Sequence, residues 1–160
     1  MIDMNKKKIE IDNMWREYLL SIKETPQNTN KTFKAWFFGD EKLANPLAKL
    51  VLDGKKTGTT SLYCLYKLEG EDLPKVGEHS IILDFDNNPQ CVIEIIKVEV
   101  LPFNTVSKEF AISEGEGDLS LNYWRAAHKS CFEIELLPFK KIFNEGLKVV
   151  CETFKVVYKN

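Results

Sequence analysis

The run from Cys91 to Leu101, Cys-Val-Ile-Glu-Ile-Ile-Lys-Val-Glu-Val-Leu, narrows most what this chain can fold into. β-Branched residues have few side-chain rotamers and pack well on a pleated surface, so the segment reads as a strand. Alternation places Val92, Glu94, Ile96, Val98 and Val100 on one face. Asp86-Asn87-Asn88-Pro89 just before it carries turn chemistry, and Ser80 to Phe85 before that reads as a second strand, so the pair predicts a hairpin.

Other elements are punctuated as clearly. Residues 1–8 read as a tail. Ile11, Trp15, Tyr18, Leu19 and Ile22 then recur at helical spacing, and Thr25-Pro26 ends that helix. Residues 27–31 are polar and aperiodic, a loop. Phe33 to Phe38 is a short extended segment closed by Gly39-Asp40. Asn45 suits a helix cap and Pro46 a first helical turn, with Leu47, Leu50 and Val51 as the buried stripe and Gly54 as the stop. Thr59 to Leu68 reads as a strand, Pro74 to Glu78 as a turn, and Asn104 to Ala111 as a short helix. Asp118 or Ser120 caps a helix from Leu121 to Cys131, and Leu147 to Tyr158 is a final strand. Strands interrupted by helices without strict βαβ alternation predict an α+β fold. A small mixed β-barrel, closed or nearly closed and flanked by helices, fits this order best. Residues 1–30 form an N-terminal helical extension packed on a domain of residues 31–160.

Composition sets the outer limits. A chain of 160 residues suits one domain, and 44% hydrophobic with 29% charged residues is globular rather than disordered. No stretch approaches the roughly 20 apolar residues that span a bilayer. Met1 to Glu10 has lysines but no apolar core behind them, so it is not a signal peptide, and the cytoplasm is the expected location. Cys64, Cys91, Cys131 and Cys151 sit among apolar neighbours with no CxxC pair, which predicts buried free thiols and neither a metal nor another cofactor. The net charge of −2 argues against a protein that grips long nucleic acid by neutralising phosphates. A nucleic-acid role would need a local patch, or a small ligand read mainly through its base.

Two loops carry chemistry. Gly54-Lys55-Lys56-Thr57-Gly58-Thr59-Thr60 joins a helix stop to a strand start, and its glycines allow tight turning and close approach. Its lysines and threonines supply cations, hydroxyls and free N–H groups. It lacks the GxxxxGK[ST] spacing of a phosphate loop and runs helix to strand. Ser113-Glu114-Gly115-Glu116-Gly117-Asp118 sets three acidic residues between glycines. Each loop alone also fits a solvated connection; the sharper reading turns one carboxylate inward to meet a lysine.

Taken together these segments resemble the ASCH domain family. Gly54 to Thr59 is similar to its GxKxxT/S loop. The likeness extends through Trp36-Phe37-Phe38-Gly39, Ala44 to Gly54, the turn from Pro74 to Gly77, Glu114 to Asp118 and Trp124-Arg125-Ala126-Ala127-His128, over roughly residues 33–158. The resemblance implies a PUA-like barrel that binds RNA or a modified nucleoside. Some members are amidohydrolases that deacetylate N4-acetylcytidine with a Lys, Thr and Glu set, and others are ribonucleases. By position these roles fall on Lys56, Thr59 and Glu114, with Glu116 and Asp118 as rival carboxylates. The small deacetylating members lack the N-terminal helix and much of the C-terminal region present here. A protein-interaction adaptor with a vestigial cleft is the remaining alternative.

The proposed set contains an electrostatic tension. A lysine acting as a general base must fall from about 10.4 to about 7–8, which needs burial. An ionised glutamate beside it favours the ammonium instead. Either Lys56 is neutral and Glu114 is held away or protonated, or Lys56 is a cation that stabilises a developing oxyanion while Glu114 orients water or Thr59 attacks. Lys55, Thr57 and Thr60 line the same loop as ligand-binding candidates. Trp36, Phe37, Tyr63 and Trp124 are candidates to stack on a base, or core aromatics. Arg125 and Lys129 share one side of a helix, either to meet phosphate or to be solvated. His128 reads first as a satisfied core histidine. Glu94 interrupts an apolar face, as a paired carboxylate or a pocket wall.

Overall fold

Helix α1 spans Met4–Ser21, so residues 4–8, expected as tail, are its first turns. Its early residues are good helix formers, and Lys7 pairs with Glu10 at 3.7 Å one turn on. The computed structural model describes residues 4–160, and the first part of the expected tail lies outside the described residues. The remaining elements are β1 (Phe33–Trp36), α2 (Ala44–Leu52), β2 (Gly58–Leu62), α3 (Tyr63–Glu69), β3 (His79–Leu83), β4 (Pro89–Pro102), α4 (Lys108–Ser113), α5 (Leu121–Leu136) and β5 (Lys148–Lys159).

The result is a mixed α/β fold around a five-stranded sheet of order β1-β3-β4-β5-β2. Among the described residues β1 and β2 are its edges, so the sheet is open and the expected barrel is not closed. The chain divides into two compact units. The first comprises Met1–Gly54, Val76–Ile96 and Phe154–Asn160, the second Lys55–Lys75 and Lys97–Thr153.

In the first unit β1 runs parallel to β3, and β3 pairs antiparallel with β4 across the predicted hairpin. The start of β4 is buried on both faces. Cys91 and Ile93 join Leu47, Ala48 and Val51 of α2, whereas Val92 joins Met14, Trp15, Tyr18 and Leu19 of α1. Fully burying one such aliphatic or aromatic side chain stabilises a fold by about 1.5–3 kcal/mol. The single apolar face read from the alternation is therefore buried at Val92 but open at Ile96 and Val100. Glu94 on that face is paired, with its Oε2 3.7 Å from Lys155 Nζ.

Asn45 is not the cap of α2. Its Oδ1 accepts from the Phe85 N–H at 2.8 Å, and Leu43 precedes the helix. Gly54 ends the segment at φ 71°, as read.

In the second unit three expectations are corrected. The strand begun at β2 stops at Leu62 and continues as α3, because Leu62 and Leu65 are buried one turn apart and Ser61 hydrogen-bonds Tyr66 at 2.7 Å. Only the Gly-Thr-Thr-Ser part is poor in helix formers; Leu65, Lys67, Leu68 and Glu69 favour helix. The helix expected from Asn104 is instead a 3-10 turn, Phe103–Thr105, followed by α4, whose cap is the Ser107 hydroxyl. Of the four cysteines Cys131 is exposed; Cys91 and Cys151 are buried, and burial pushes both thiols up to about 12. Ser120 caps α5 by accepting from the Tyr123 N–H at 3.0 Å.

Candidate functional site

Strand β2 pairs antiparallel with β5, with Thr60 opposite Cys151 and Thr59 opposite Glu152. The two lysine- and acid-bearing loops of the second unit meet beside this strand. The Thr57 N–H donates to the Ser113 carbonyl at 2.7 Å. Gly115, at φ 73°, lies against the peptide between Lys55 and Lys56, where a Cβ would come within 2.5 Å of the Lys55 carbonyl oxygen. Only glycine tolerates both the left-handed backbone and that approach.

This contact brings Lys56 and Glu114 together out of water, with side chains 1% and 2% exposed. Lys56 Nζ stands 3.4 Å from Glu114 Oε1 and 3.4 Å from Glu116 Oε2. The other Glu114 oxygen, Oε2, accepts from Thr60 Oγ1 at 2.9 Å and from the Trp124 indole N–H. His128 Nε2 lies 3.2 Å from the same oxygen. A carboxylate offers about four acceptor positions, and four groups address this one.

The protonation of His128 follows from its neighbours. Its Nδ1 is 2.9 Å from the Trp124 carbonyl, which only accepts. Its Nε2 faces a carboxylate, which also only accepts when ionised. Both nitrogens therefore carry hydrogen, and the imidazolium lies over the Trp124 ring at 4.3 Å between centroids, a favourable cation–π geometry. Burial pushes the Glu114 carboxyl up, but the His128 hydrogen bond and the charges of Lys56 and His128 outweigh it and hold the group at about 2. Burial likewise opposes the charged form of His128, yet Glu114 raises it above its ordinary value.

The other histidine behaves oppositely. His79, in the first unit, is buried beside Tyr18, whose hydroxyl is 2.9 Å from its Nε2. Burial lowers its pKa, and Glu94 offsets this only in part. A group raised in the fold contributes stability that is present below its unfolded value and lost as pH rises through the folded one. His128 acts in this sense. His79 is depressed, so its contribution is present above 6.5 and lost as pH falls through its folded value. Since the chain has two histidines, a proton NMR titration should show one imidazole titrating above 6.5 and one below. In Glu114→Gln the upper resonance alone should move down. Two midpoints together near the ordinary value would contradict the pairing.

Of the residues singled out in the sequence, the structure brings together Lys56, Glu114, Glu116 and Thr60. The hydroxyl on the carboxylate belongs to Thr60 and not to Thr59, because successive side chains of a strand point to opposite faces. Thr59 shares its face with Ser61. Thr57 is half-buried, held at Ser113 through its backbone, and Lys55 is exposed. Arg125 donates to the Asn104 carbonyl at 3.2 Å. Trp36 packs edge-on against Phe38 at 4.6 Å in an aromatic cluster of the first unit. Asp118 turns to the Ser120 N–H at 2.8 Å and takes no part in the lysine cluster. His128 and Trp124 enter the site although the sequence reads them first as core. The signal lay in their spacing, four apart on α5, which stacks them on one face just after the acidic loop.

Residues 34–158 match the family model described as ASCH domain. The chain is similar to the crystal structure of an ASCH domain from Lactobacillus crispatus JV V101, with 36% identity and a TM-score of 0.84 over 99% of both chains. It is also similar to that of a protein from Enterococcus faecalis V583, with 35% identity and a TM-score of 0.82 over 96% of this chain and 89% of the other. No curated protein matches it significantly.

Proposed function

This chain belongs to the ASCH domain family, which is PUA-like, and on that premise we propose that it binds RNA or a modified nucleoside at the Lys56–Glu116 edge of its second unit. The observation that carries the reading is the amine of Lys56, buried between one carboxylate that is 2% exposed and one that is 25% exposed. Removing such charges from water costs several kcal/mol per ion, and apolar residues would fill the space at least as stably. Retaining them is therefore consistent with use rather than with packing.

The two carboxylates have different work in this reading. Glu114, held by Thr60, Trp124 and His128 at Oε2 and by Lys56 at Oε1, fixes the amine. Glu116 keeps access to solvent and is the carboxylate that meets a base edge or a water. Lys56 and Glu116 then offer a donor and an acceptor side by side, which suits the edge of a nucleobase. Locally Lys56 and His128 balance Glu114 and Glu116, so phosphate contributes little to affinity. No helix among the described residues is long and apolar enough to cross a membrane.

A second reading, hydrolysis of an amide such as that of N4-acetylcytidine, is favoured by the same pair. Lys56 would stabilise the oxyanion as water adds to the acetyl carbonyl, Glu116 would take the water proton, and collapse would release acetate and the cytidine amine after protonation. Of the two arrangements open to the lysine, the one with Glu114 held away is not found, which supports the cationic role.

Equilibrium binding of N4-acetylcytidine and of single-stranded RNA tests both readings. Lys56→Met and Glu116→Gln should each weaken binding by roughly tenfold or more, as loss of a charged hydrogen bond of about 1.5–3 kcal/mol implies. The slope of log K against log salt should be shallower than about −2, since each phosphate contact on a single strand adds about −0.7. Affinity unchanged in both variants would exclude the site. Release of acetate that vanishes in Lys56→Met would establish the hydrolase.

A further inference from the structure

A groove of about 610 Å³ opens in the second unit where α3 and the end of α5 line it. Its apolar lining includes Leu65, Tyr66, Pro138 and Phe139. Its acidic residues are Glu69, Glu71 and Glu135, and among the described residues lining it none is basic. Two further apolar side chains of the same segment are left in water: Leu137, adjoining Pro138 in sequence, is 69% exposed, and Ile134, one turn earlier, is 67% exposed. Large apolar side chains left in water and bordered by charge of one sign mark contact surfaces more often than scattered exposed residues do.

The sign of the charge selects the occupant. Burial raises the Tyr66 hydroxyl and a Ser61 hydrogen bond opposes that, while Glu152, Glu71 and Glu69 add to the rise. Negative potential therefore reaches the groove wall as well as its rim. Phosphate backbones and anionic lipid headgroups are repelled by such a field. A small organic cation would find the carboxylates but leave Ile134 and Leu137 exposed. A segment that carries both lysine or arginine and apolar side chains satisfies both features.

We propose that this groove docks a basic, apolar-anchored peptide segment of a partner protein, with leucine-like side chains on the floor of Leu65, Tyr66 and Phe139 and its cations at Glu69, Glu71 and Glu135. Its carboxylates, Glu69, Glu71 and Glu135, are not among the groups paired with Lys56, and docking there needs neither Lys56 nor Glu116.

The probe is a fluorescein-labelled synthetic peptide of leucine and lysine in helical period, titrated with the full chain and followed by anisotropy. Two control peptides replace its lysines by glutamate or its leucines by serine. The leucine–lysine peptide should bind saturably, and both controls should fail. Amide shifts in a nitrogen-15 spectrum should concentrate in residues 61–71 and 135–139. Glu69→Lys with Glu71→Lys, both exposed positions that leave the core untouched, should weaken binding on the order of tenfold through like-charge repulsion. Equal binding of the serine–lysine peptide, shifts spread away from the groove, or undiminished affinity in the charge-reversed variant would each overturn the proposal.

Discussion

Glu114→Ala should destabilise this protein by about 3–5 kcal/mol, because it leaves a buried cation without its main counter-charge. Three further donors, from Thr60, Trp124 and His128, lose their acceptor in the same step. Glu116 Oε2, still 3.4 Å from Lys56 Nζ, offsets part of the loss, which favours the lower end of the range. For a chain of this length 1 kcal/mol corresponds to roughly 2–4 °C in melting temperature, so a fall of about 6–12 °C is expected. Urea denaturation of wild type, Glu114→Ala, Lys56→Met and the double variant supplies the check. The double variant should be more stable than the sum of the single losses requires, with a coupling of roughly 1–3 kcal/mol. Additive losses would mean that the two groups do not interact. The sign with pH is also determined. Glu114 is depressed from 4.5 to about 2 in the fold, so its contribution is complete above 4.5 and fades as pH falls through about 2.

Gly115→Ala is expected to be nearly as damaging while changing no charge. An L-residue at φ 73° costs about 1–2 kcal/mol. The new Cβ would stand 2.5 Å from the Lys55 carbonyl oxygen and 2.8 Å from its carbon, both backbone atoms that cannot rotate away. Overpacking of this kind adds about 1–3 kcal/mol. The acidic loop must then lift from Lys55-Lys56, which separates Glu114 and Glu116 from the amine. Stability should fall by roughly 2–5 kcal/mol by these two terms, and the raised titration of His128 should relax toward its ordinary value. Gly58→Ala is the control. Its obstacles are the Ser113 hydroxyl at 2.6 Å and the Phe110 ring, both side chains that can give way. The Gly58 variant should therefore lose less. Equal losses at the two positions would show that backbone approach is not what glycine provides at Gly115.

Much of the fold was legible because its signals are local. The β-branched run of β4, the turn before it and the helical period of α1 each depend on neighbours in sequence. The passage from β2 to α3 was not, since Thr59 to Leu68 runs from threonines into leucines and tyrosines without a break, and such short runs fit either period. The cap at Asn45 failed for another reason: its side chain is taken by the Phe85 N–H, a partner 40 positions away.

The candidate site divides in the same manner. Lys56, Thr60, Glu114 and Glu116 could be named from two loops whose glycines, lysines and acids stand out in sequence. Which carboxylate is locked and which stays open, and which threonine holds it, could not. The amino-acid order alone determined where the chain turns, which stretches extend or coil, and that amine, hydroxyl and carboxylate lie near the ends of those elements, because torsional preference and side-chain period act over a few residues. Tertiary structure alone decided that Glu114 is buried among Thr60, Trp124, His128 and Lys56 while Glu116 keeps an edge in water. Burial and charge pairing are properties of what packs around a group, and no residue carries them by itself.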